Sequence, residues 1–328
     1  MFSRSSTGLV SLEEIEAAAE RIRGIAVRTP LVAVGSDGGE AGAGFSLKCE
    51  SFQPMGAFKI RGAANMLARL GEEARRGVIT YSSGNHGQAV ALAAQRRGIT
   101  AVVVMPETAS RVKVDAARRY GAEVTFAGTT SLDRKAAAEA IAAERGLTMV
   151  PPFDHPWIVA GAGTVGLEIL EQHPAVTAVY VPMGGGGLVA GVSAAIKLKR
   201  PDVRVIGVEP SGAAKMTASR EAGEPVTLAR TASIADGLLA LRPGELTFAH
   251  VQAFVDEIVT VSEDAIGDAI GWLFSEARLV AEPSGAVATA GVLAAGASAR
   301  GGAVAGMVAV VSGGNVSAED FAGYLRKR

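Results

Sequence analysis

The chain has 328 residues, 48% of them hydrophobic, and a formal net charge of −1. That length fills one large domain or two ordinary ones and buries a substantial core, while the near-neutral balance argues against a nucleic-acid binder. The single cysteine, Cys49, excludes a disulfide framework and a multi-cysteine metal site. After an irregular start, SLEEIEAAAERIRG reads as an amphipathic helix and not as part of a signal peptide. No apolar run approaches the roughly 20 residues that span a bilayer, so a cytoplasmic protein without membrane contact is expected. GVITYS (Gly77–Ser82) reads as a strand and HGQAVALAAQRRG (His86–Gly98) as the helix that follows it. TAVVVMP (Thr100–Pro106) is a second strand, SRVKVDAARRYG a helix ending at Gly121, AEVTFAG a third strand and SLDRKAAAEAIAAERG a further helix. Later come the strand TAVYVPM (Thr177–Met183), the helix LVAGVSAAIKLKR, the strand VRVIGVEP (Val203–Pro210) and a closing strand within Ala303–Asn315.

Gly98, Gly121 and Gly146 suit helix C-caps. Strands alternating with helices predict an α/β fold with mostly parallel sheets covered on both faces. The two βα series, around residues 77–127 and 177–210, predict two lobes with the site in the cleft between them. The segment EAGEPVTLARTASIADGLLALRPG is irregular and is expected as a loop over that site.

Four segments carry chemistry. In ESFQPMGAFKIRGAANML, Lys59 follows a Pro-Met-Gly loop at the start of a helical run. A Schiff-base lysine needs a partly desolvated place, because the neutral amine is the nucleophile. Taken alone, Lys59 also reads as an ordinary solvated cation, although one that opposes the helix dipole. SSGNHGQ (Ser82–Gln88) joins a strand to a helix, where free N–H groups and small polar side chains hold a carboxylate. Its plainer reading is a helix cap by Ser83 or Asn85. MGGGGLVAG (Met183–Gly191) lets backbone N–H groups close on a phosphate. It lacks the Lys-Ser/Thr ending of a nucleoside-triphosphate loop and the G-x-G-x-x-G spacing. VVSGGN (Val310–Asn315) ends a strand and places Ser312 beside a ring nitrogen or a turn.

In this order and spacing the four segments resemble the fold-type-II pyridoxal-5′-phosphate (PLP) enzymes, and within them the serine/threonine dehydratase and serine racemase group. FKIRGA, SSGNHGQ, GGGGLVAG and SGGNVS each carry the resemblance. It implies a tryptophan synthase β-like fold. Residues 1–52 and 149–328 would form the large cofactor-binding domain, and residues 53–148 a small domain carrying Lys59 and the carboxylate loop. It further implies that Lys59 holds PLP, with Phe58 beside the cofactor and Asn85 at its phenolic oxygen. Gly184, Gly185, Gly186, Gly187 and Leu188 wrap the phosphate, and Ser312 faces the pyridine nitrogen. A hydroxyl there leaves the ring a weaker electron sink than a carboxylate would, which suits β-elimination. Ser82, Ser83, Asn85 and His86 bind the substrate carboxylate.

The implied activity is conversion of a hydroxy amino acid such as L-threonine or L-serine to a 2-oxo acid and ammonia, with Lys59 as the base. Racemisation, with Ser83 serving the opposite face, is the alternative, as are a 3-hydroxyaspartate dehydratase and a β-replacement synthase. A non-catalytic phosphate- or amino-acid-binding protein is the reading from another class. A homodimer is expected, with no nucleic-acid partner. Three departures from the family stand out. Lys215 takes the place of an acidic metal ligand near Glu209 and Ala213, so no metal is expected there. The usual Gly-Gln-Gly-Thr reads GAGT at Gly161–Thr164, a lost amide expected to alter the pocket. No regulatory domain is expected after SGGN.

Overall fold

The computed structural model describes residues 8–34, 44–82, 84–109, 111–298 and 306–326. Its first third runs α1 (Leu12–Arg21), β1 (Leu31–Val34), β2 (Phe45–Cys49), α2 (Lys59–Leu70), β3 (Val78–Tyr81) and α3 (Asn85–Arg97). There follow β4 (Ala101–Met105), α4 (Arg111–Arg119), β5 (Glu123–Phe126), α5 (Ser131–Arg145), β6 (Thr148–Met149) and α6 (Pro156–Gln172). Next come β7 (Ala178–Pro182), α7 (Gly187–Lys199), β8 (Arg204–Pro210), α8 (Lys215–Ala222) and α9 (Glu245–Phe254). The chain closes with β9 (Glu257–Val261), α10 (Glu263–Ala277), α11 (Pro283–Ser298), β10 (Met307–Val311) and α12 (Ala318–Arg326).

Local chemistry sets these limits. Thr130 and Asp133 form a reciprocal capping box at the start of α5, and Ser11 and Ser262 cap α1 and α10. Gly98 and Gly146 close α3 and α5 with φ of +67° and +65°, a region costly for residues with a Cβ.

The strands form two sheets. The smaller has the order β5-β4-β3-β6 and is parallel throughout. The larger has the order β1-β2-β10-β7-β8-β9, with β1 antiparallel to β2 and the other pairs parallel. Both faces are buried, so alternate residues of one strand enter different cores. In β7, Val179 and Val181 join the cluster that includes α7 residues Val189, Val192 and Ile196, whereas Ala178 and Tyr180 join α10 and α11. In the smaller sheet, Ile79, Val102 and Val104 pack under α5 and Val78 and Val103 under α2 and α3.

Helices α2, α6 and α7 stack closely because glycine stands at the crossings. A Cβ on Gly191 would lie 2.3 Å from the Val159 carbonyl, and one on Gly161 would lie 2.5 Å from that of Arg61. A buried charge network then ties α2 to the larger sheet. Arg61 donates to Glu50 through Nε and Nη2 at 2.7 Å each, and to Glu168 through Nη1 and Nη2 at 2.7 and 2.9 Å. Lys48 on β2 meets Glu168 at 2.5 Å. Lys48 and Glu50 are fully buried and Arg61 is 1% exposed, so removing one partner would cost about 3–5 kcal/mol. No helix among the described residues is long and apolar enough to cross a membrane.

Candidate active site

In a parallel α/β layer the strand ends and helix starts meet at one edge, and ligands gather there. A cavity of about 630 Å³ lies at that edge, lined among others by Lys59, Ser82, Asn85, Gly185 and Ser312. The four motif segments therefore meet. Ser83 lies outside the described residues.

Lys59 opens α2, and its Nζ donates to the Pro152 carbonyl at 2.7 Å and sits 5.3 Å from the centre of the Phe58 ring. No acidic group pairs with it among the described residues. Desolvation therefore dominates and lowers its pKa to about 8, which brings the neutral amine within reach near neutrality. Two contacts fix this start of α2: Phe58 N–H donates to the Ser312 carbonyl at 3.0 Å, and Asn315 Nδ2 donates to the Met55 carbonyl at 2.9 Å.

Asn315 Nδ2 also donates to Asn85 Oδ1 at 2.8 Å, and Asn85 Nδ2 donates to Glu282 Oε1 at 2.5 Å. Glu282 is 6% exposed. Desolvation, with the Asp236 charge second, raises its pKa to about 8, so the carboxyl holds its proton at neutrality. His86 is driven the other way, to about 3, by desolvation and then by the Lys59 charge. The imidazole is neutral, its Nε2 lies 3.1 Å from the Val150 carbonyl, and its Nδ1 has no partner among the described residues. A protonated Nε2 donating to Val150 leaves Nδ1 an acceptor. Ser82 Oγ accepts from Gly84 N–H at 3.2 Å, and among the described residues no side chain caps α3.

The glycine loop is a cradle of donors. Gly186 has φ +98°, and among the described residues no acceptor takes the N–H groups of Gly184, Gly185, Gly186, Gly187 or Leu188. Gly185 lines the cavity, and the others flank it in the same turn. A Cβ on Gly185 would lie 2.4 Å from the Phe153 ring. Thr247 Oγ donates to the Gly185 carbonyl at 2.7 Å and fixes the loop from α9. Below it, Lys215 is fully buried. Its Nζ donates to the carbonyls of Ala213, Leu238 and Met183 at 2.8, 3.0 and 3.2 Å and lies 3.2 Å from Glu209 Oε1.

PLP needs a buried amine, a phosphate seat and a partner for its ring nitrogen. Lys59 without an acidic partner, five open N–H groups and the Ser312 hydroxyl, which donates to the Ser284 carbonyl at 3.3 Å, fit that need. Ala162 differs from expectation: it is 1% exposed inside α6, in the core against α7, so the altered Gly-Ala-Gly-Thr run does not line the pocket. Sequence reasoning gave no role to Glu282, Asn315 or Thr247, which act through other polar groups; Glu282 and Thr247 carry no motif of their own, and Asn315 ends the VVSGGN segment. It also missed the Lys113–Asp236 ion pair at the cavity wall. The SIADGLLALRPG segment does line the cavity, through Asp236–Leu238 and Ala240–Gly244.

Two α/β sheets with a desolvated lysine and a glycine turn of open N–H groups beside one cavity fit the class of enzymes that link a phosphate-bearing cofactor to an amine. Residues 22–313 match the family described as pyridoxal-phosphate dependent enzyme, and the chain belongs to that family. It is 43% identical to the L-threonine ammonia-lyase of Thermotoga maritima over 94% of this chain and 76% of that protein. It is 47% identical to the biosynthetic L-threonine dehydratase of Salmonella typhimurium over 75% of this chain but 48% of that enzyme, so it spans about half the latter's length. Among solved structures, maize serine racemase superposes with a TM-score of 0.89 at 36% identity, covering 97% of both chains.

Proposed function

We propose that this protein is a PLP-dependent ammonia-lyase that converts a 3-hydroxy amino acid, such as L-threonine or L-serine, to a 2-oxo acid and ammonia by β-elimination. The observation that carries this is one cavity shared by Lys59, Asn85, Gly185 and Ser312. The 43% identity to an L-threonine ammonia-lyase supports it.

When bound, pyridoxal phosphate supplies the electron sink that acidifies the substrate's α-C–H bond. The N–H groups of Gly184 to Leu188 hold its phosphate, Ser312 meets the ring nitrogen as a neutral partner, and Asn85 meets the phenolic oxygen. The first N–H groups of α3, that of His86 among them, would hold the substrate carboxylate together with Ser82, Ser83 and Asn85; the His86 ring, spent on the Val150 carbonyl, offers no donor of its own. Asn85 is itself held by Asn315 and the neutral carboxyl of Glu282, so its amide is fixed before substrate arrives. Lys59 Nζ accepts the α-proton and, as an acid, returns a proton to the departing hydroxyl, which leaves as water. Phe58 and Phe153 shield that transfer from solvent. A homodimer, a cytoplasmic location and a small domain of residues 53–148 belong to the same reading.

A screen for 2-oxo acid release from serine and threonine tests the proposal. Lys59→Ala is expected to abolish turnover and the cofactor's imine absorption while PLP still binds through its phosphate. Retained turnover in that variant would refute it. The likeness to maize serine racemase over 97% of both chains favours racemisation as a second activity. Chiral analysis of serine recovered from the reaction checks this, and a single enantiomer throughout removes it.

A further inference from the structure

Tyr81 ends β3, one residue before the Ser82–His86 loop, and lines the cavity. Side chains alternate along a strand, so Thr80 and Tyr81 face opposite ways. Thr80 is buried, and its Oγ donates to the Val150 carbonyl at 2.8 Å. Tyr81 shares its face with Ile79 and packs, half-buried, on the cluster that holds Ala138 and Ile141 of α5 and Met149. Packing therefore fixes the ring, about 3.8 Å along the backbone from the first residue of the carboxylate loop.

The Tyr81 hydroxyl makes no hydrogen bond among the described residues, whereas a half-buried phenol ordinarily finds a partner. The other hydroxyls of the cavity differ. Ser82 Oγ accepts from Gly84 N–H at 3.2 Å, Ser284 Oγ accepts from Gly237 N–H at 2.9 Å, and Ser312 donates to the Ser284 carbonyl at 3.3 Å. Ser131 and Thr227 are exposed. Desolvation, with the Glu139 and Asp154 charges behind it, raises the pKa of the Tyr81 phenol, so it keeps its proton at neutrality. A neutral donor binds a hydroxyl oxygen with one ordinary hydrogen bond, and binds it more strongly where negative charge develops on that oxygen. In serine or threonine the amine goes to the cofactor and the carboxylate to the Ser82–His86 loop. The 3-hydroxyl is the polar group left to be met.

We propose that the Tyr81 hydroxyl donates a hydrogen bond to the 3-hydroxyl oxygen of the substrate, holding the leaving group in place and stabilising the charge that develops as its bond to the β-carbon breaks. This rests on the ammonia-lyase reading for turnover, but not for binding. Tyr81 is a specificity-determining residue for substrates with a 3-hydroxyl. It takes no part in proton transfer, since the proton that leaves with the hydroxyl comes from Lys59.

L-Serine and L-alanine differ only in that hydroxyl. Their dissociation constants are read from the first stopped-flow phase of the visible absorption of the PLP-loaded enzyme, before product forms. Serine is expected to bind about 10-fold tighter than alanine, as one neutral hydrogen bond provides. In Tyr81→Phe that ratio is expected to fall to about 2 or below. The ring packing is kept in this variant, so its affinity for alanine and for PLP and its thermal midpoint are expected to match wild type. Its kcat for serine is expected to fall about 100-fold, as loss of a donor at a developing charge does, with a smaller change in KM. With 3-chloro-L-alanine the departing chloride is a weak acceptor and needs no proton, so kcat/KM is expected to change by less than about threefold. A serine-to-alanine ratio unmoved by Tyr81→Phe, equal affinities for the two in wild type, or equal losses with serine and 3-chloroalanine overturn the proposal. Absence of any 2-oxo acid from serine, threonine and 3-chloroalanine would defeat the lyase reading, while the serine-to-alanine ratio would still decide the role of Tyr81.

Discussion

Replacing Lys215 by methionine keeps most of the side chain's volume and removes its charge from a fully closed site. The ammonium has three donors and four oxygen neighbours, all within 3.2 Å. Burial alone disfavours its charge and lowers its pKa, while Glu209 opposes that shift. Methionine leaves the Glu209 carboxylate at zero exposure. The backbone N–H groups of Met216 and Thr217, at 3.0 and 2.9 Å, and the Thr217 hydroxyl remain as its partners. Removing one member of such a pair costs about 3–5 kcal/mol, a large share of the roughly 5–15 kcal/mol of a typical domain. At about 2–4 °C per kcal/mol, the thermal midpoint of Lys215→Met should fall by roughly 10 °C. The carbonyls of Met183 and Leu238 flank the glycine loop and the cavity, so PLP affinity should fall as well. Urea and thermal unfolding followed by circular dichroism measure the first effect, and equilibrium dialysis of PLP the second. Glu209→Gln combined with Lys215→Met should recover at least half of the stability loss. A single variant within about 1 kcal/mol of wild type would refute the reasoning. The same cage predicts that wild type keeps its activity in EDTA; full loss restored by magnesium would show that Lys215 does not stand in for a divalent ion.

Gly185→Ala should weaken PLP binding by at least about tenfold, because its Cβ would fall 2.4 Å from the Phe153 ring and overpacking of that kind costs about 1–3 kcal/mol; cofactor retained on gel filtration measures it. Glu282 is protonated in the folded chain up to about pH 8 but ionises near 4.5 when unfolded, so its contribution to stability is complete below 4.5 and is lost as pH rises towards 8. Glu282→Gln has no proton to lose, so its unfolding midpoint should vary less with pH over that window, and parallel pH profiles for the two proteins would sink the assignment. Lys59 reacts as the neutral amine. Reloading of the apoprotein with PLP should therefore quicken about tenfold per unit below pH 8 and level off above it, given its lowered pKa of about 8; a flat stopped-flow profile would contradict the desolvated amine.

The alternation of strands with helices was legible because it is a local property. Apolar runs of five or so residues, glycine caps and capping boxes depend on near neighbours in the chain, as Thr130 with Asp133 and Gly146 with α5 illustrate. The glycine turn was legible for the same reason: four consecutive glycines between a strand and a helix leave few other conformations. Glu282 was not legible. Its raised pKa comes from burial and from Asp236, and its partner Asn85 is 197 residues away. Asn315 joins Met55 and Asn85 across 260 and 230 residues. The altered GAGT run misled in the opposite direction, because a helix face that packs against α7 carries no sign in the sequence that it misses the cavity.

By itself the sequence determined the α/β class, the amine, the glycine turn and the hydroxyl at the end of the last strand, since each is set by residue type and immediate neighbours. Only the tertiary structure decided the state of those groups. Lys59 is an ordinary cation until the Phe58 ring, the Pro152 carbonyl and the absence of an acid among the described residues desolvate it. Lys215 is a lone charge until Met183, Ala213, Leu238 and Glu209 close around it. The reason is physical: protonation and affinity follow from burial and distance, which arise between segments far apart in the chain.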